Sequence, residues 1–171
     1  MSNSGEKVNS LRFLGGATKR LVKTWIKMEE PREIPWTSLN KDVNESKIAL
    51  LSSGALAMKS DTPFDQQGER DNPWWGDPTH RVIPGDADLN DVRSYHLHID
   101  PWYSQQDMNC LFPLDRLREL SASGAVGEVA ESHYSIMGYI LEPDTLLRET
   151  TPQIIESLQN EKVDVLLLVP A

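Results

Sequence analysis

Two short apolar runs stand out along the chain. "SKIALLSSG", Ser46–Gly54, and "VDVLLLVPA", Val163–Ala171, are each bounded by polar or small residues, and both read as fully buried β-strands. Other segments carry a helical period. "FPLDRLREL" predicts a helix beginning near Pro113, with Leu114, Leu117 and Leu120 inward and Asp115, Arg118 and Glu119 outward. Leu11, Leu14, Leu21, Trp25 and Met28 fall near helical spacing among lysines and arginines, which predicts a basic amphipathic helix. "RSYHLHID", Arg93–Asp100, and "GAVGEVAES" after Gly124 read as further strands. A helix is expected within 144–160, restarted at Thr151-Pro152, where Thr can cap and Pro can occupy the first turn.

Strands and helices alternating with short joins imply βαβ units. The expected fold class is therefore α/β: a mostly parallel sheet flanked by helices, as an incomplete doubly wound domain. Residues 1–34 form a tail and the basic helix, and residues 35–171 the domain proper. "EEPREIPWTSLN" joins them as a linker, with Pro31 and Pro35 against helix and Trp36 as an anchor. From Asp61 to Asn90 runs a long irregular excursion rich in Pro and Asp, carrying Trp74 and Trp75.

Composition narrows the functional classes. The net charge of −9 over 171 residues argues against nucleic acid as a partner. Charge is uneven, since residues 1–34 hold seven Lys/Arg against four Glu, leaving −12 for the rest. No apolar run is long enough for a transmembrane segment, and the basic residues interrupting the N-terminal apolar positions leave no signal-peptide core. Cys110 is the one cysteine, which excludes an intrachain disulfide and points to a cytoplasmic protein.

The sharpest local cluster is His96-Leu97-His98-Ile99-Asp100. On a strand, His96, His98 and Asp100 would share one face. Two imidazoles and a carboxylate suit a divalent metal, or a substrate bearing both carboxylate and amine; they equally suit a polar strand face at a sheet end. His133, in "ESHYSIMGYI", is expected just after a strand, where a functional side chain could emerge. Cys110 precedes a helix start, but its apolar neighbours point to an inert buried thiol. "GDADLNDV" approximates a calcium loop and fails it, with Asp91 at the sixth position and Leu97 at the twelfth. "LGGATK" lacks phosphate-loop spacing, and no nucleophile elbow is visible.

Longer stretches go further. "GDPTHRVIPGDADLNDVRSYHLHID", "DMNCLFPLDRLREL", "SHYSIMGYI" and "TPQIIESLQNEKVDVLLLVPA" together resemble the selenocysteine-containing B components of the glycine/sarcosine/betaine/D-proline reductases, over about Trp36 to Ala171. The resemblance implies an oxidoreductase subunit that cleaves a C–N bond reductively. In that family the strand matching Val163–Val169 leads directly to a redox selenocysteine or cysteine. The expectation is therefore a chain truncated just before its nucleophile, a UGA codon having been taken as a stop, and inactive alone. No cofactor is expected in this chain. A pyruvoyl group is expected on a partner subunit of a hetero-oligomer, with a dithiol reductant or thioredoxin-like protein regenerating the selenol and a small amine-bearing substrate.

On that resemblance His96 or His133 would transfer a proton to the departing nitrogen or bind the substrate carboxylate, and Asp100 would orient the neighbouring imidazole. His98 stands where relatives often carry a small residue. Two alternatives stay open: a noncatalytic binding or assembly subunit, and a metal-dependent enzyme using His96, His98 and Asp100.

Overall fold

The computed structural model describes residues 15–28, 37–72 and 74–171. The linker around Pro31, Pro35 and Trp36, and Leu11 and Leu14 of the basic segment, lie outside the described residues. The chain divides into two units at Ser38–Leu39. The first contains helix α1, Gly16–Met28, whose first turn closes through Lys19 N–H on the Gly15 carbonyl at 2.8 Å.

The second unit is built on β1, Lys47–Ser52, at the centre of a five-stranded, mostly parallel sheet. On one side β1 pairs in parallel with β5 (Glu128–Val129) and β6 (Ser132–Ile136), two pieces separated by Ala130 and Glu131. On the other it pairs in parallel with β7, Val165–Val169, from Ile48↔Val165 to Ser52↔Val169. β3, His80–Pro84, closes the far edge antiparallel to β6. Ile48, Ala49 and Leu50 are all buried, so both faces of β1 are covered, which is why its sequence is a continuous apolar run.

Helices flank the sheet. α4, Leu114–Ala122, follows Pro113 and buries Leu114 and Leu117 with Phe112 against Ile48 and Leu50. α5, Thr151–Asn160, continues from a π-helical turn at Leu146–Thr150 and has Pro152 in its first turn, as the Thr-Pro pair predicts. His133 faces Phe112, with ring centroids 5.9 Å apart, while the next residue, Tyr134, turns the other way to meet Ser157 of α5. Alternation along β6 thus puts α4 and α5 on opposite faces.

Several local expectations are corrected. The strand expected over 93–100 is only β4, Val92–Ser94; it pairs antiparallel with β2, Leu56–Met58, outside the main sheet. Residues 61–90 are not irregular throughout, for they contain α2 (Gln66–Asp71) and the edge strand β3. Pro84 is tolerated because it ends an edge strand. Leu120 is exposed rather than inward, and Cys110 is exposed rather than buried. No helix among the described residues is long and apolar enough to cross a membrane.

Candidate functional site

In a parallel sheet the carboxyl ends of the strands share one rim, and side chains from several loops converge there. Here β1, β6 and β7 deliver Ser52-Ser53-Gly54, Ile136-Met137-Gly138 and Val169-Pro170-Ala171 to the same place. Ser53 N–H bonds the Val169 carbonyl at 3.1 Å, and Ala171 N–H bonds Ser53 Oγ at 2.8 Å. A β-carbon built on Gly138 would stand 2.7 Å from the Ser53 carbonyl oxygen and 2.8 Å from His96 Nε2. Ala171, Ser53, Gly138 and His96 are therefore contiguous.

His96 reaches this rim from an irregular loop, not from a strand face. After β4 the chain bends, and the loop is hung from the turn that follows β1. Ser94 Oγ–H bonds the Gly54 carbonyl at 2.8 Å, and Tyr95 N–H bonds the Ala55 carbonyl at 2.9 Å. Ala55 holds φ +50° with no exposed surface, a left-handed conformation an alanine adopts only at a cost. His98 N–H donates to His96 Nδ1 at 3.0 Å, which leaves the neutral His96 proton on Nε2, toward Gly138. Burial, and next the neighbouring His98, hold His96 below the ordinary imidazole pKa, while Glu69 pulls it upward.

His98 does not share its carboxylate partner with the sequence expectation. Its Nε2 lies 2.5 Å from Glu69 Oε1, and its ring packs on Tyr139 with centroids 4.3 Å apart. Glu69 is 4 % exposed. Asp100, expected to orient an imidazole, is instead the N-cap of α3 (Pro101–Gln106) and accepts from Trp102 N–H at 2.9 Å. His96, His98 and Asp100 thus do not form a shared strand face. Among the described residues no group of three or more His, Cys, Asp or Glu is placed to hold a metal ion.

His133 lies within β6, not after it, and has no exposed surface. Its Nδ1 accepts Leu50 N–H at 2.9 Å, so the proton sits on Nε2, which has no partner among the described residues. Burial above all lowers its pKa to about 4. The imidazole is a neutral fixture joining β6 to β1 beneath α4.

Beside His96 opens a cleft of about 970 Å³, bordered by Gln66, Arg93, Ser94, Ser104, Asn109 and Arg118 among others. Arg118 is committed to the Gly85 and Ala87 carbonyls and to Asp115, while Gln66 Nε2–H bonds the Tyr95 carbonyl at 2.7 Å. The cleft has mixed polar and apolar walls, with Val92, Leu97, Ile99 and Met108 among the latter.

Sequence reasoning missed Glu69 and Ser53. Glu69 meets His98 across 29 positions of sequence, a spacing with no periodic signature. Ser53 sits in a small-residue strand end that resembles many others.

An α/β domain with a polar rim at the carboxyl ends of its strands is the class these features define. The chain belongs to the glycine/sarcosine/betaine reductase selenoprotein B family, whose model matches residues 17–171. It is 33% identical over 133 residues to the D-proline reductase subunit gamma of Acetoanaerobium sticklandii, covering 78% of this chain and 52% of that one. It is 26% identical over 131 residues to the glycine reductase complex component B subunit gamma of Symbiobacterium thermophilum, covering 75% and 29%. The corresponding subunit of Carboxydothermus hydrogenoformans is 29% identical over 107 residues, covering 61% and 23%. The chain thus spans about half the length of the first relative and under a third of the others. No solved structure matches it closely.

Proposed function

We propose that this chain forms the substrate-facing wall of a reductase subunit that cleaves a C–N bond in an amine-bearing substrate. The overall change replaces C–N by C–H and releases the amine with a proton, consuming two electrons and two protons. A dithiol supplies both and ends as a disulfide. A selenol or thiol entering the rim, and a pyruvoyl group on a partner subunit of a hetero-oligomer, would supply nucleophile and amine activation.

The residues on hand suit such an entry. The Ala171 N–H bond to Ser53 Oγ sets that residue on the rim beside Gly138 and His96. His96 holds its proton on Nε2 at that point, where the neutral ring can donate a hydrogen bond to a developing anion. Its depressed pKa keeps the ring neutral, in that hydrogen-bond-donating form. Asp100 supports the site by capping α3, which borders the cleft through Ser104 and Gln105. His133 holds the sheet from within.

The observation that carries this reading is the convergence of Ala171, Ser53, Gly138 and His96 on one rim, in a chain of this family. Its test is to assay the native protein for selenium and the assembled reductase for amine release. Stoichiometric selenium and dithiol-dependent amine release are expected. Dithiol-dependent C–N cleavage by the isolated 171-residue chain, retained after Cys110→Ser, would overturn it.

A further inference from the structure

Glu69 is a buried carboxylate beside the histidine loop, and its setting is unusual. It sits on α2, a short helix clamped from several sides. Asp65 caps it by accepting Gln67 and Gly68 N–H, and Asp65 N–H in turn bonds the buried Asp77 carboxylate at 3.0 Å. Gly68 lies so close to Trp75 that a β-carbon there would stand 2.5 Å from the indole Cζ3. α2 thus has little room to shift.

From this clamped helix two side chains reach the histidine loop. Gln66 holds the Tyr95 carbonyl at its start, and Glu69 holds His98 Nε2 further on. The second oxygen, Glu69 Oε2, is buried with no hydrogen-bond partner among the described residues. A buried carboxylate oxygen left unpaired is costly, and such departures from local stability concentrate where a charge has a task.

We propose that Glu69 is the positioning residue of the rim, fixing His98 so that its backbone N–H holds His96 with its proton on Nε2 toward Gly138 and Ser53. This role rests on the reading of the rim as a reductive site only for its consequence in catalysis. Glu69 touches no reacting atom; it acts through His98. His98 is fixed at its ring by Glu69 and Tyr139 and hands that order to His96 through one main-chain bond. The titratable groups facing His96 are His98 on its own loop and Glu69 on α2, with Tyr139 beyond His98. The Glu69 charge favours a proton on His96 and the His98 ring disfavours it.

The experiment is nitrogen-15 NMR on the intact chain labelled at histidine, comparing wild type, Glu69→Gln and His98→Gln. Wild type is expected to show a strongly deshielded Nε2–H proton for His98, reporting its bond to Glu69. In Glu69→Gln that signal moves upfield and the His96 titration midpoint falls, with the amide pattern of the fold retained. In His98→Gln the His96 midpoint rises and its Nε2–H tautomer loses its dominance. Should Glu69→Gln fail to fold, the His98→Gln result alone decides.

An unchanged His98 proton and His96 midpoint in Glu69→Gln overturn the proposal, as does an unchanged His96 tautomer in His98→Gln. In an assembled reductase, Glu69→Gln is expected to lower kcat about tenfold with KM within twofold. A wild-type assembly without reductase activity would count against the functional reading while the NMR outcome still decides the role of Glu69.

Discussion

The backbone of Gly138 and the imidazole of His96 approach so closely that a methyl group on Gly138 would stand 2.8 Å from Nε2. The same methyl would stand 2.7 Å from the Ser53 carbonyl oxygen, so it cannot be accommodated by turning the ring alone. Gly138→Ala is therefore expected to displace the histidine loop and cost roughly 1–3 kcal/mol of stability. Thermal melting reads the cost. An unchanged melting temperature would mean that His96 does not pack against Gly138.

His133 should make the fold sensitive to mild acid. In the unfolded chain its imidazole titrates near the ordinary 6.5, and in the folded chain at about 4. Between these values the unfolded state binds more protons. Its contribution is thus complete above about pH 6.5 and declines as pH falls through the window, by up to about 3 kcal/mol. His133→Asn keeps an acceptor for Leu50 N–H and removes the titration. Urea midpoints at pH 7.5 and 4.5 should differ less in the variant than in wild type.

Asp100 is a helix cap, and its substitution should behave as one. Asp100→Ala is expected to cost about 1 kcal/mol, the usual value of a lost N-cap. Because the carboxylate bonds Trp102 N–H, the tautomer of His96 should be unaffected. Denaturant unfolding and histidine NMR separate the two roles: a changed tautomer with full stability would restore the orienting role.

The exposed thiol of Cys110 should react with a maleimide in the native protein, and Cys110→Ser should change stability by less than about 0.5 kcal/mol. Protection of the thiol from the reagent until denaturant is added would contradict the exposed placement.

How much of this was legible in sequence follows from the physics of each element. β1 announces itself because a parallel strand covered on both faces is apolar at every position. β7 carries the same apolar run, but the expectation of a fully buried strand fails there, since none of its residues is buried and Leu167 and Leu168 are exposed. The α4 helix announces itself through Leu114 and Leu117 at helical spacing. β6 does not, since "SHYSI" buries His133, Tyr134 and Ser135 together. His133 Nδ1 accepts from Leu50 N–H, and Ser135 Oγ accepts from Leu56 N–H and donates to the Ser52 carbonyl, pairings only the tertiary fold can create. The histidine pair read as a strand because apolar and polar residues alternate over "HLHI". The chain instead bends after Ser94, where Ser94 and Tyr95 bind the turn after β1. His96 was legible as a candidate from its residue type and family position. Glu69 was not, because its partner His98 is brought to it by the loop's tertiary path.

The most direct test of the account is the rate of amine release by the complete reductase assembled with wild-type subunit or with His96→Gln. With the neutral His96 donating its Nε2–H hydrogen bond to the anion that develops at the rim, the variant should lose about 100-fold or more in kcat, with its fold intact by circular dichroism. A variant within threefold of wild type would place the chemistry elsewhere in the assembly.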